Sequence, residues 1–278
     1  MEALIMAGAL DVFEQNRATL MASLPAAVQI AEQHSRNRDA GQSDMFGMVD
    51  KVETGPGSYH EMDDWDDEQR LSCEKQTLGL YLTGHPIERY EPELRQFVSN
   101  RIVDLKPTQD QSVIVAGLII GIRTMNTKRG DRIAFITLDD RSGRIEVALF
   151  SEAYQRYQDV LSKDKLVVIE GEVSVDDYSG GYRMSTRTLY DIEQARSHFA
   201  KRLKVSVTEQ RAANGFIPAL QHILQPFRQG DCPVVIDYLS GDARVDLPLG
   251  PEWQVQPSDE LLHRLRELAG EQDVEIIY

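Results

Sequence analysis

A multidomain α+β protein is predicted for this chain of 278 residues, and three observations predict it. Apolar residues at helical spacing fill the first forty positions. From Gln111 the period changes to two. After residue 192, strand-like and helix-like segments follow one another in the order βαββαβ. The hydrophobic fraction of 41% is enough for ordinary packed cores. The length suits two domains, or three small ones.

The first element, residues 1–40, is helical: Ala3, Leu4, Ala7 and Leu10 keep helical spacing, as do Leu20, Leu24, Val28 and Ala31, with breaks expected at Gly8 and Pro25. Residues 41–67 form a flexible acidic linker, rich in glycine and carrying the run Asp63, Asp64, Asp66, Asp67 and Glu68. Residues 68–110 form a helical connector. One helix is expected from about Asp66 to Leu82, closed by Pro86, and a shorter one from Ile87 to Phe97.

Residues 111–192 hold five strands: Val113 to Thr124, Ile133 to Asp139, Ile145 to Leu149, Leu166 to Asp176 and Tyr182 to Tyr190. Ile145, Val147 and Leu149 alternate with Arg144, Glu146 and Ala148. A short helix from Ser151 to Leu161 separates the third strand from the fourth. Five strands with a helix in that place are the layout of an OB-fold β-barrel.

Residues 193–278 form a small βαββαβ domain. Its strands are Arg202 to Val207, Pro233 to Leu239, Ala243 to Leu249 and Val274 to Tyr278; its helices are Gly215 to Gln225 and Ser258 to Ala269. Ser258 is a natural N-cap, Leu261, Leu262, Leu265 and Leu268 make one apolar face, and Gly270 stops the helix. The element order resembles a split βαβ unit.

Charge is unevenly placed. The chain carries a net −15, yet residues 111–190 hold 11 basic and 11 acidic side chains, so only there does nucleic acid meet no net repulsion. No apolar run approaches the ~18–20 residues of a membrane helix, and no signal peptide is expected. Cys73 and Cys232 lie far apart in sequence and offer no disulfide framework, which fits a reducing cytoplasm.

Three sites stand out. Gln42, Asp44, Met45 and Phe46 place an apolar pair in a polar linker, where it can enter another protein's hydrophobic pocket or fold back on the helices before it. The barrel offers Lys128, Arg129 and Arg132 in its first loop and Tyr178, Tyr182 and Arg183 around its last. Phe135, Arg141 and Arg144 extend the track, with cations for phosphate and aromatics for bases. Asp131, Asp139, Asp140, Asp176 and Asp177 lie among these cations, so weak single-stranded DNA binding is expected, and protein docking is the other use of such a barrel. The third site is the C-terminal edge with Trp253, Val255, Ile276, Ile277 and Tyr278, which either covers its own core or meets a partner.

Catalytic arrangements are not found. The acidic run lies in a linker, where metal-binding carboxylates would not be held. The six histidines are scattered without metal-ligand spacing. Gly79, Gly84 and Gly180-Gly181 fit no phosphate loop, and Ser142-Gly143 reads as a turn. No catalytic residue, metal or cofactor is expected.

Several segments together resemble one family. They are Glu2 to Leu10, Gln42 to Phe46, Thr127 to Gly130 and Leu138 to Gly143. The longest is Glu74-Lys75-Gln76-Thr77-Leu78-Gly79-Leu80-Tyr81-Leu82-Thr83-Gly84-His85-Pro86. The family is the alpha subunit of bacterial DNA polymerase III, and the likeness covers essentially the whole chain, on its C-terminal region. It implies a DNA-directed DNA polymerase whose catalytic carboxylates lie upstream. Residues 1–40 would be the end of a helix-hairpin-helix region. Gln42, Asp44, Met45 and Phe46 would bind the beta sliding clamp, and the barrel would sit near single-stranded template. The last domain would bind the tau subunit of the clamp loader, with Trp253 and Ile276 as contacts. The alternative is a stand-alone barrel that binds single-stranded DNA or docks protein.

Overall fold

The structure, a computed structural model, describes residues 1–39, 59–107, 111–127, 130–176, 180–241 and 243–278, in two compact units, 1–88 and 89–278. The first unit has helices α1 (Glu2–Met6), α2 (Arg17–Asp39) and α3 (Asp67–Leu78). Gly8, left-handed at φ 76°, turns the chain after α1. α2 runs on through Pro25, so the break expected there does not occur. A proline inside a helix costs about 3 kcal/mol, and contacts outside the helix must offset it. Asn16 caps α2 by accepting from the Thr19 amide at 2.7 Å, while Thr19 and Ser23 accept from Met62 and His60 amides at 3.0 and 2.9 Å. Residues 59–62, expected within the linker, are therefore hydrogen-bonded along α2.

α3 stops earlier than its apolar pattern suggested. Asp66 caps its start by accepting from the Gln69 amide at 2.7 Å, and Gly79, left-handed at φ 75°, ends it. Glu74 explains the turn that follows. Its carboxylate is 0% exposed, takes Arg17 Nη1 at 3.0 Å, and accepts from the Leu82 and Thr83 amides at 2.8 and 3.0 Å and the Thr83 hydroxyl at 2.9 Å. Burial pushes this carboxyl up, and those donors outweigh it, leaving it below its ordinary value. The chain after Gly79 is folded back onto α3 by one buried acid.

The expected helix over 87–97 is broken into a 3-10 turn at Pro86–Tyr90 and a single α-turn, α4 (Glu91–Leu94), the first helix of the second unit. The barrel comprises β1 (Ser112–Asn126), β2 (Arg132–Asp139), β3 (Arg144–Leu149), β4 (Leu166–Val175) and β5 (Tyr182–Asp191), with α5 (Ser151–Tyr157) between β3 and β4. The strands close in the order β1-β2-β3-β5-β4, all pairs antiparallel except β3 with β5. This is the five-stranded OB-fold barrel. Alternation fills it: Ala134, Ile136 and Leu138 of β2 meet Ile145, Val147 and Leu149 of β3 inside. Gly171 sits at a bulge where β4 passes β5 so closely that a Cβ would lie 1.9 Å from the Ser185 carbonyl oxygen.

A helix not expected from the sequence, α6 (Ile192–Phe199), leaves the barrel. Its capping box is complete: the Gln194 amide donates to Asp191 Oδ1 at 2.8 Å, and the Asp191 amide donates to Gln194 Oε1 at 3.1 Å.

The last domain contains β6 (Arg202–Thr208), the helical turn α7 (Glu209–Arg211), α8 (Ile217–Leu224), β7 (Val234–Ser240), β8 (Ala243–Pro248), α9 (Asp259–Ala269) and β9 (Val274–Ile277). Its sheet has the order β8-β7-β6-β9. β6 and β7 are parallel and directly paired, so the βαβ unit is not split. β8 instead pairs outside β7, and β9 takes the free side of β6. Leu203, Val205, Ile236, Leu220, Leu261, Leu265 and Ile276 share one core. On the other sheet face Asp237, 0% exposed, meets Arg244 Nε at 2.7 Å, Lys204 Nζ at 3.1 Å and Ser206 Oγ at 3.0 Å. Arg244 above all, with Lys204 and Ser206, outweighs burial and holds this carboxyl far below its ordinary value.

α4, α6, α9 and the chain end meet at Arg196. Its guanidinium, 4% exposed, contacts Glu93 at 2.6 and 2.9 Å and Asp259 at 2.6 Å, and the Tyr278 hydroxyl also donates to Glu93. Phe97 stacks on Phe199 at 4.9 Å and tilts against Tyr278 at 4.8 Å.

Replacing Arg196 by Met takes the bidentate cation from Glu93 and leaves Asp259 with Arg89 at 3.9 Å. The expected cost is about 3 kcal/mol, or a midpoint lower by about 6–12 °C in scanning calorimetry, with Arg196→Lys losing less. An unchanged midpoint for Arg196→Met would refute the central role of this contact. For Asp237 the sign follows from its lowered pKa. Its stabilisation is complete above the ordinary aspartate value of about 3.9 and fades as pH falls below it. Asp237→Asn is therefore expected to melt below the parent at pH 7, with the gap narrowing steadily as pH falls below about 4; a gap independent of pH would contradict this.

Candidate nucleic-acid interface on the barrel

Outward positions of β1, β2, β3 and β5 form one face. Register places Arg123 of β1 beside Phe135 of β2, and Glu146 of β3 beside Arg183 of β5. The Phe135 ring has guanidinium carbons at 5.0 Å (Arg123) and 5.3 Å (Arg183) from its centroid, within cation–π range. Glu146 takes both cations, Arg183 at 2.7 Å and Arg123 at 3.3 Å, and Arg183 also reaches Asp176 at 3.1 Å. Phe135 and Arg183 were expected here. Arg123 and Glu146 were not, and their outward place in the period-two pattern was the available signal.

The turn between β2 and β3 explains its Asp-Asp-Arg-Ser-Gly sequence. Asp140 Oδ1 accepts from the Ser142 amide at 2.8 Å, the Ser142 hydroxyl at 2.6 Å and the Gly143 amide at 2.9 Å, and Oδ2 accepts from the Ile102 amide at 2.8 Å. Arg141 stands exposed at the tip in left-handed backbone, φ 71°, its amide donating to Asp139 at 2.8 Å. Arg144, expected to extend the basic track, is held by Asp139 at 2.8 Å. Arg132 opens β2 and is exposed, as is Tyr182 at the start of β5. Lys128, Arg129 and Tyr178 lie outside the described residues, and so does the Gln42, Asp44, Met45 and Phe46 motif. The face is thus a run of arginines around one aromatic ring, largely neutralised by its own carboxylates. It can offer stacking and phosphate contacts once those carboxylates yield.

At the other end, Trp253 is half-buried, with Arg228 over its ring at 4.6 Å. Ile276, expected as a partner contact, is 9% exposed and belongs to the domain core, because β9 pairs with β6 and turns this side chain toward the helices. Little of it is left for a partner to touch. Among the described residues no group of three or more His, Cys, Asp or Glu side chains is placed to hold a metal ion, and no helix is long and apolar enough to cross a membrane.

Residues 113–192 match the family described as OB-fold nucleic acid binding domain, and residues 219–270 the family described as DNA polymerase III subunit alpha, C-terminal domain. The DNA polymerase III subunit alpha of Vibrio cholerae is 47% identical over 277 residues, 99% of this chain and 24% of that protein. The Escherichia coli K12 protein of the same name is 44% identical over 279 residues, again 99% and 24%. A domain of replication protein A from Methanococcus maripaludis aligns with TM-score 0.28 and 18% identity, over 34% of this chain and 93% of that one. The chain spans about a quarter of the length of the curated relatives it matches. Near-complete alignment with those relatives, and a family match inside the last domain, give one conclusion: the chain is homologous to the C-terminal region of the alpha subunit of DNA polymerase III.

Proposed function

We propose that this chain is the tethering region of a replicative DNA-directed DNA polymerase working in the cytoplasm. In this reading it binds single-stranded template on its barrel, the beta sliding clamp through Gln42, Asp44, Met45 and Phe46, and the tau subunit of the clamp loader through residues 193–278. Polymerization chemistry belongs to other parts of the polymerase, and this region brings no cofactor. The observation that carries the reading is the alignment of 99% of the chain with DNA polymerase III alpha subunits at 47% and 44% identity. The Arg123–Phe135–Arg183 face supports the DNA contact, since stacking and phosphate pairing need those residue types together. Trp253 remains the tau contact to examine, as a half-buried aromatic beside a cation.

Met45→Ala with Phe46→Ala is expected to weaken binding to purified clamp on the order of 100-fold, the loss typical of two anchors leaving a pocket, with the melting curve unchanged. Equal affinity in a calorimetric titration would remove the clamp assignment. On the barrel, Phe135→Ala combined with Lys128→Glu and Arg129→Glu is expected to weaken an oligothymidylate about tenfold or more and to flatten the salt dependence. Fluorescence anisotropy showing the parent affinity and slope would favour protein docking instead, the use that the ion-paired face also permits.

A further inference from the structure

We propose that Glu146 is a built-in competitor for the phosphate of single-stranded nucleic acid. This rests on the single-strand reading above and names what sets the strength of that site. Glu146 lies on β3, one of the two inner strands of the face. By register it stands between Thr137 of β2 and Arg183 of β5, and its carboxylate also reaches across β2 to Arg123 of β1. One side chain thus occupies both guanidiniums that flank Phe135. A carboxylate and a phosphate compete for the same kind of donor on arginine, so a strand that pairs fully with these two cations must draw them away from Glu146, and Arg183 from Asp176 as well. The side chain is 33% exposed and the Arg123 partner 64%, so both are open to solvent and to an incoming phosphate. Ion pairs this exposed are weak, which makes the displacement reversible and keeps affinity low without abolishing it.

The test uses the full chain and a labelled oligothymidylate, titrated by anisotropy across a salt series. Glu146→Gln keeps the shape and removes the charge. Its expected effect is about three- to tenfold tighter binding at low salt. The slope of log affinity against log salt is expected to steepen by about 0.7–1.4, one or two added phosphate contacts on a single strand. Glu146→Ala is expected to act in the same direction. In a background carrying Arg123→Gln and Arg183→Gln the gain is expected to vanish, because the competition has lost its object. A gain that persists there overturns the proposal, since Glu146 would then act by simple repulsion. Binding by the parent chain with no gain in Glu146→Gln or Glu146→Ala overturns it and leaves the single-strand reading intact. Binding by none of the chains at any salt overturns both.

Discussion

Arg196 has its guanidinium taken almost wholly out of water and meets two carboxylates from distant parts of the chain, Glu93 lying 103 residues before it and Asp259 63 residues after. Removing such a cation from solvent costs several kcal/mol, and the pair repays it only when geometry and further hydrogen bonds are good. Here the fork to Glu93 is bidentate, and the Tyr278 hydroxyl adds a donor to the same carboxylate. Burial first, then the Glu93 charge, pushes the Tyr278 phenol far above its ordinary value, so this donor is present at any physiological pH. Isolated buried ion pairs are poor sources of net stability, but they penalise every arrangement that separates them. The pieces this one joins are α4 ahead of the barrel, α6 after it, α9 and the C-terminal residue of the second compact unit. The stacked Phe97, Phe199 and Tyr278 rings supply the apolar half of the same junction.

The acidic composition and the barrel face obey one logic. Residues 111–190 are neutral overall, and the face shows how this comes about locally: Arg144 is held by Asp139, Arg183 by Glu146 and Asp176, and Arg123 by Glu146. Each pair is partly exposed and worth little to stability. Their effect is positional. The Arg123 and Arg183 pairs hold their guanidiniums beside the Phe135 ring, where a base or phosphate approaching the strands would meet them. Charges left loose on long side chains would bind more promiscuously and with less order.

Strand positions were legible because a barrel wall has one wet side and one dry side, and this imprints a period of two on 133–139 and 145–149. Strand order in the last domain was not. The element sequence βαββαβ is compatible with more than one arrangement, and the direct β6–β7 pairing is decided by which edges meet. α6 was missed although Asp191 and Gln194 carry a capping-box spacing; with eight residues it gave little periodicity to read. α2 continues through Pro25 against its local propensity, and Thr19 and Ser23, in the turns before it, are bonded to the backbone of His60 and Met62. In the candidate site, residue types were readable one at a time, which is how Phe135 and Arg183 were singled out. The meeting of Arg123 and Glu146 with them depends on the register of four strands, which no single segment contains. Ile276 shows the converse error, an apolar residue near the chain end that the sheet draws into its own core.

A chain that holds its partners through several modest contacts behaves differently from one with a single tight site. When modules share one polypeptide, binding of the first raises the effective concentration of the others to the millimolar range or near it, so each contact can be weak and still be occupied most of the time. Weak contacts also release quickly, because differences in affinity reside mainly in dissociation rates. For a polymerase that must stay with DNA while sliding along it, both properties are required together. A strongly basic groove would meet the first demand and fail the second, since every neutralised phosphate would have to be given up at each step. An arginine face already neutralised by Glu146, Asp139 and Asp176, on the proposed reading, avoids that barrier. On the proposed reading, the acidity of this chain is therefore consistent with work on DNA: the carboxylates set how loosely the barrel holds a strand, while tethering through the clamp and the clamp loader sets how long the polymerase stays.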